Sequence, residues 1–223
     1  MSMYLFLKWA HIIAMAYWLG GEWGVFNASR PITNTKLSLD ERKRHMETAY
    51  RIDILPRTGI ILLLPLGLHM GAIGNYHPLD GAWIWGMWIF VAFWFSITYS
   101  AFIKRGTDLG VKLTKIDESF RYIIIPLLIG FAIYSLMTRW PFPQGWYAAK
   151  AGLYGVALII GLLLRFIMRH WVMLFRQIAE GPNPEAEARL DRELAFGRGL
   201  AYIYWIVIGT VALFGVYKGA LLI

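Results

Sequence analysis

The sequence contains no cysteine. That excludes disulfides, thiolate metal ligands, iron–sulfur clusters and covalently attached c-type haem. Charge is also thin. Asp, Glu, Lys and Arg make up 16% of the chain, and acidic residues are scarcer than basic ones, fourteen against twenty-two. No low-complexity segment and no clear internal repeat is present. The features of a secretory signal are missing as well. Lys8, the one basic residue near the start, lies inside an apolar run, and no small-residue cleavage site follows it. Residues 4–27 therefore read as a retained membrane helix.

What is abundant is apolar side chain. Hydrophobic residues make up 58% of the chain and mean hydropathy is +0.50. A soluble domain would sit nearer half apolar. The apolar residues fall in long runs, and eleven Trp within a 16% aromatic content fit belts at two membrane interfaces. Crossing a hydrocarbon core of roughly 30 Å takes about 20 helical residues. Six stretches meet that length, near 4–27, 56–75, 82–103, 121–138, 147–170 and 200–222. The predicted fold is an all-α integral membrane protein, a six-transmembrane-helix bundle forming one membrane domain over 1–223. "RWPFPQGW" breaks the chain between the fourth and fifth spans.

The basic residues check that count. Eighteen of the twenty-two, from Arg30 to Arg57, Lys104 to Arg121 and Arg165 to Arg198, fall in or beside the three loops on one face. Lys8, Arg139, Lys150 and Lys218 fall on the other. The positive-inside rule then puts both termini outside, periplasmic in a bacterial inner membrane. The net charge of +8 is thereby topology and contact with the cytoplasmic leaflet rather than nucleic-acid binding. Two segments of the basic face read as surface helices at the lipid interface. "SLDERKRHMETAYRID" opens on a capping box, Ser38 with Glu41. "NPEAEARLDRELAFGR" is rich in helix formers after Pro184.

Topology sorts the five histidines. His11 lies about seven residues into the first span and His69 about six from the outer end of the second, so both lie roughly 10 Å below the outer surface. Two imidazoles at one depth on neighbouring helices are what a haem b, or a metal ion, needs. The alternative is that each only hydrogen-bonds within the bundle. Lys8, one turn from His11, together with Lys150 and Arg139, would pair haem propionates or else snorkel to headgroups. Trp18 and Glu22 follow His11 along one stripe, with Met15 close to it. Glu22, three turns deeper, is a candidate proton carrier or a structural carboxyl, with Arg57 as its expected partner. Gly20, Gly21 and Gly24 allow close helix approach. His170, beside Arg169 and Trp171, is a candidate contact for a second redox group or quinone. His77, in "NYHPLDG", is a candidate metal ligand or donor-docking residue. His45 reads as solvated.

"LKWAHIIAMAYWLGG" resembles the opening helix of a bacterial group that includes the haem-b-containing membrane protoporphyrinogen oxidases and the copper-resistance membrane protein D family. "YRIDILPRTGIILLLPLGLHMG" resembles the oxidases' second helix. "WYAAKAGLYGVALIIGLLLR" resembles a later one, in which Trp146 precedes Lys150 by four. The resemblance covers about half the chain. It implies His11 as a haem ligand and Lys150 as a functional lysine. The chain departs from the oxidases in having six spans rather than about four, as if 82–138 were inserted. It also lacks their asparagine-glutamate-proline signature before the last helix.

Three functions follow as expectations. The first is a haem b membrane redox protein, with His11 and His69 on iron, passing electrons between a periplasmic or membrane-soluble donor and an acceptor such as quinone. The second is a porphyrinogen-type oxidase built on that haem, with Glu22 and Lys150 as its catalytic residues. The third is a copper-handling protein using Met15, His69 and Met70. A structural subunit of a larger membrane complex, or a homo-oligomer, is compatible with each.

Overall fold

The computed structural model describes residues 2–218, and every helix or turn among them is built without a strand. The order is α1 (Met3–Ser29), a 3-10 turn (Arg30–Thr33), α2 (Leu39–Ile52), α3 (Ile54–Ile73), α4 (Ala82–Ile103), α5 (Asp108–Thr138), α6 (Gly145–Ala179) and α7 (Pro184–Tyr217). Residues 219–222 of the expected last span lie outside the described residues.

The helix ends follow local chemistry. Ser38 Oγ accepts from the Glu41 N–H, and the Glu41 carboxylate accepts from the Ser38 N–H at 2.9 Å, so the expected capping box forms. Thr107 caps α5 and Asn183 caps α7, where Pro184 occupies the first turn. α5 ends at Arg139 in the left-handed region (φ 62°), and "PFP" turns the chain into α6. The segment expected as a separate surface helix after Pro184 is instead the first half of α7, because nothing in "ELAFGRGLAYIYW" interrupts an α-helix.

Five helical stretches are long and apolar enough to cross a membrane: Leu39–Ile73, which joins α2 to α3, and the helices α4, α5, α6 and α7. α1, with 27 residues and so about 40 Å, is long enough. Lys8, His11, Glu22 and its Trp, Tyr and Gly residues lower its mean hydropathy. The bundle is inside-out by soluble standards. Trp83, Trp85 and Ile89 of α4 are 70% exposed or more, and only 17% of the most apolar window of α5 is buried. An apolar exterior of that extent is stable against lipid and aggregates in water. The molecule is thus compatible with a multi-pass membrane protein in contact with a bilayer.

The six long helices pack in a circuit, α1 on α3, α3 on α4, then α5, α6 and α7, which returns to α1. The tightest contact is α1 with α3. A Cβ on Gly59 would collide with the Ala14 carbonyl and with Trp18, and one on Gly21 would collide with Pro56. Gly24 meets Ile52 in the same way, whereas Gly20 faces open space, so two of the three α1 glycines anticipated at a contact are there. Inside the circuit lie the fully buried Trp18, Trp94, Leu158, Tyr204 and Ile208.

Candidate functional site

Two cavities lie inside this circuit, one at each end of the helices. The larger, about 580 Å³, is at the end that holds the N-terminus of α1 and the C-terminus of α7. That is within the range of about 300–1,000 Å³ typical of small-molecule sites. His11 faces it with its Nδ1 buried and without a hydrogen-bond partner among the described residues. Gly67 of α3 lies opposite, where a Cβ would touch the imidazole at 3.5 Å. The walls are apolar, with Met15, Leu63, Leu64, Met70 and Leu128 among them.

The charges at this cavity are of one sign. Lys8, Lys150 and Lys218 line it, and among the described residues no carboxylate does. Lys150 and Lys8 form no ion pair among the described residues, and Lys218 Nζ donates to the Tyr4 hydroxyl at 3.2 Å. Gly215 makes room for Lys150, since a Cβ there would stand 2.7 Å from its Nζ. Tyr147 closes the α3 side through a hydrogen bond to the Gly67 carbonyl at 3.2 Å. Three cations with no counter-charge among the described residues, around an apolar volume, suit an amphipathic anion.

The expected site residues divide. His11, Lys8, Trp18 and Lys150 come together at the cavity. His69 does not join them. It turns to α4, where its Nδ1 accepts from Trp88 Nε1 at 3.2 Å. Leu63, Leu64, Gly67, Leu68 and Met70 line the cavity from α3, and His69 is not on its wall. The two imidazoles share a depth in the span assignment, yet they face different surroundings. Arg139 is exposed at the end of α5 and is absent from the cavity wall. Among the described residues no cluster of three His, Asp or Glu side chains is grouped as a metal site.

Glu22 lies in the smaller cavity, about 70 Å³, at the α2 end. Its expected partner Arg57 shares that cavity but pairs instead with Asp53, one helical turn away, through Nε at 2.6 Å. A partition separates the two cavities. Trp18, on the wall of the large one, donates from Nε1 at 3.0 Å to the hydroxyl of Tyr204, on the wall of the small one.

Sequence reasoning missed a buried ionic hub beside the small cavity. Asp117 of α5, 1% exposed, accepts from Trp94 Nε1 and Thr98 Oγ1 of α4, each at 2.7 Å, and pairs with Arg165 of α6. It ties three helices together. A signal was present: Asp117 and Arg121 are spaced i, i+4 at the head of an apolar run, and Arg165 interrupts another.

Of the other histidines, His77 is buried in the α3–α4 loop. Its Nε2 bonds the Leu68 carbonyl at 2.8 Å, and its Nδ1 accepts from the Leu79 N–H at 3.2 Å. His170 lies 3.6 Å from Glu193 on α7 and is half exposed. His45 is part-exposed on α2.

The fold is a helical bundle of membrane type with a cavity toward each end, the larger one apolar with lysines at its rim. No family model, curated protein or solved structure matches the chain.

Proposed function

We propose that this is a multi-pass membrane redox protein that holds haem b in the larger cavity, with His11 as the iron ligand. The observation that carries the reading is a buried imidazole nitrogen without a partner among the described residues, facing an apolar cavity whose charged rim is three lysines with no carboxylate among those residues. Haem b is a flat apolar macrocycle with two carboxylates, and this wall chemistry is its complement. When bound, the group supplies one-electron redox chemistry at iron. The chain's own residues do the rest. His11 binds and fixes orientation, Lys8, Lys150 and Lys218 pair the propionate carboxylates, and the Leu and Trp walls exclude water. Glu22, beyond the Trp18–Tyr204 partition, is a proton-holding carboxyl on the far side.

In this reading α1 is a sixth span. The eighteen-to-four split of basic residues then puts both termini outside, in the inner membrane of a bacterium, with the larger cavity near the periplasmic face. Electrons pass between a periplasmic or membrane-soluble donor and an acceptor such as quinone. A porphyrinogen-type oxidase would use the same cavity with Lys150 at its rim, and complementation of a strain lacking that activity separates it from a carrier.

The test is an absorption spectrum of the purified protein, oxidised and reduced. A Soret band is expected in the wild type and in His69→Ala, and it is lost in His11→Ala. A folded wild-type sample reconstituted with haem and showing no Soret band overturns the proposal. Copper handling is a second reading, because His11, Met15 and Met70 line one cavity. Stoichiometric copper without iron in the purified protein would put it first.

A further inference from the structure

The smaller cavity has a donor surplus that the haem reading does not use. Arg121 lines it, is 3% exposed, and leaves Nε and Nη2 without hydrogen-bond partners among the described residues. Its guanidinium lies over the Trp94 ring at 5.5 Å, and its Nε stands 3.7 Å from Asp117, beyond hydrogen-bond reach. Trp171 of α6 lines the same cavity at 4% exposure, and its Nε1–H also lacks an acceptor. Buried donors left unpaired each carry the full desolvation penalty of the group. Three of them around one cavity mark a place built to receive acceptor atoms.

Charge accounting points the same way. Of the guanidiniums on the wall, Arg57 is taken by Asp53 and Arg165 by Asp117. Arg121 and Arg198 remain, and the wall carries one further carboxyl, Glu22. The surplus is one positive charge with Glu22 ionised and two when Glu22 holds its proton. The cavity, about 70 Å³, is large enough for a small polyatomic group such as a tetrahedral oxyanion.

We propose that the cavity at the α2 end is an oxyanion site that takes a phosphate group, held by Arg121, Arg198 and the indole N–H of Trp171. The planar, always-charged guanidinium is the side chain suited to phosphate oxygens, and the tryptophan adds a neutral donor. The phosphate is either free inorganic phosphate or the headgroup of an anionic phospholipid. The site stands on residues separate from the haem cavity, so it holds or fails independently of that reading.

The experiment uses the full chain in a neutral detergent, with bound phospholipid quantified by native mass spectrometry before and after exhaustive washing. Inorganic phosphate is then titrated calorimetrically into the washed protein. Saturable 1:1 binding identifies free phosphate. Stoichiometric anionic phospholipid that survives washing identifies the headgroup. Trp171→Phe keeps the ring and removes one donor, and Arg198→Gln removes charge at the cavity edge. Each is expected to weaken phosphate binding, or to reduce lipid retention, about tenfold or more. Arg121→Gln should abolish it, and circular dichroism reports whether that variant folds. Folded protein that binds neither phosphate nor phospholipid overturns the proposal. So does binding that Trp171→Phe and Arg198→Gln leave unchanged.

Discussion

At the residue scale, His77 is the group whose ionisation has the clearest structural consequence. Burial holds its imidazole below the ordinary value of 6.5, while its hydrogen bond to the Leu68 carbonyl of α3 opposes that shift. Because Nδ1 accepts from the Leu79 N–H, the ring is the neutral tautomer with its proton on Nε2, donated to Leu68. Protonation of Nδ1 removes an acceptor and puts a charge against Phe142 and Tyr147. The sign follows from linkage. A depressed folded value means the unfolded loop binds the proton more readily, so the contribution is complete above about pH 6.5 and is lost as pH falls below it. Amide exchange in residues 74–81, corrected for intrinsic rates, should show weaker protection at pH 5 than at pH 8. His77→Gln should remove that difference. Equal pH dependence in both proteins would show that another group is responsible.

At the element scale, the α1–α3 contact places His11 and gives the most direct stability prediction. Gly59 lies against the backbone of Ala14 and Trp18, atoms that cannot step aside as a flexible side chain would. Gly59→Ala forces the two helices apart at a cost of about 1–3 kcal/mol, the range for overpacking. Thermal unfolding in detergent should shift downward by several degrees. Gly20→Ala, made where nothing lies within 4 Å, should match or exceed the wild type, since it only removes backbone freedom. A Gly59→Ala protein as stable as Gly20→Ala would mean the helices do not approach this closely. The same elements show what was legible beforehand. The apolar helices could be located because lipid demands unbroken apolar helix, but α5, α6 and α7 run well past the expected 121–138, 147–170 and 200–222 into the basic face. The cavity-facing side of α1 could be located too, because His11, Met15 and Trp18 repeat at helical spacing. The rotation of α3 could not be read from depth alone, which is why His69 was expected beside His11 and instead faces Trp88. Asp117 and Glu118 could not be assigned partners, because Arg165 and Arg169 are about fifty residues away on another helix. Charge pairing between helices is long-range information that no local pattern carries.

At the scale of the whole molecule, the distribution of charge makes topology the decisive property. The α2 end is bound together by ion pairs between distant segments. Arg42, itself buried, reaches the Ile32 carbonyl at 2.7 Å and grips Glu187 at the head of α7 with two bonds of 2.6 and 2.7 Å. Two-pronged guanidinium–carboxylate pairing of this kind adds geometric definition as well as attraction. The opposite end has Lys8, Lys150 and Lys218 around the larger cavity instead. If the six-span reading holds, the ion-paired end faces the cytoplasm, where anionic lipids also attract its surplus of Lys and Arg, and the lysine-rimmed cavity faces outward. The absence of cysteine makes this directly measurable, because any thiol signal comes from an introduced residue. Asn75→Cys probes the α3–α4 turn, and Arg44→Cys probes the exposed face of α2. In intact spheroplasts a membrane-impermeant maleimide should label the Asn75→Cys protein at once, and the Arg44→Cys protein only after lysis. Labelling of the Arg44→Cys protein in intact cells would invert the bundle, placing the larger cavity at the cytoplasmic face. Labelling of both would mean that α2 and the α3–α4 turn lie on the same side, so that α3 does not cross.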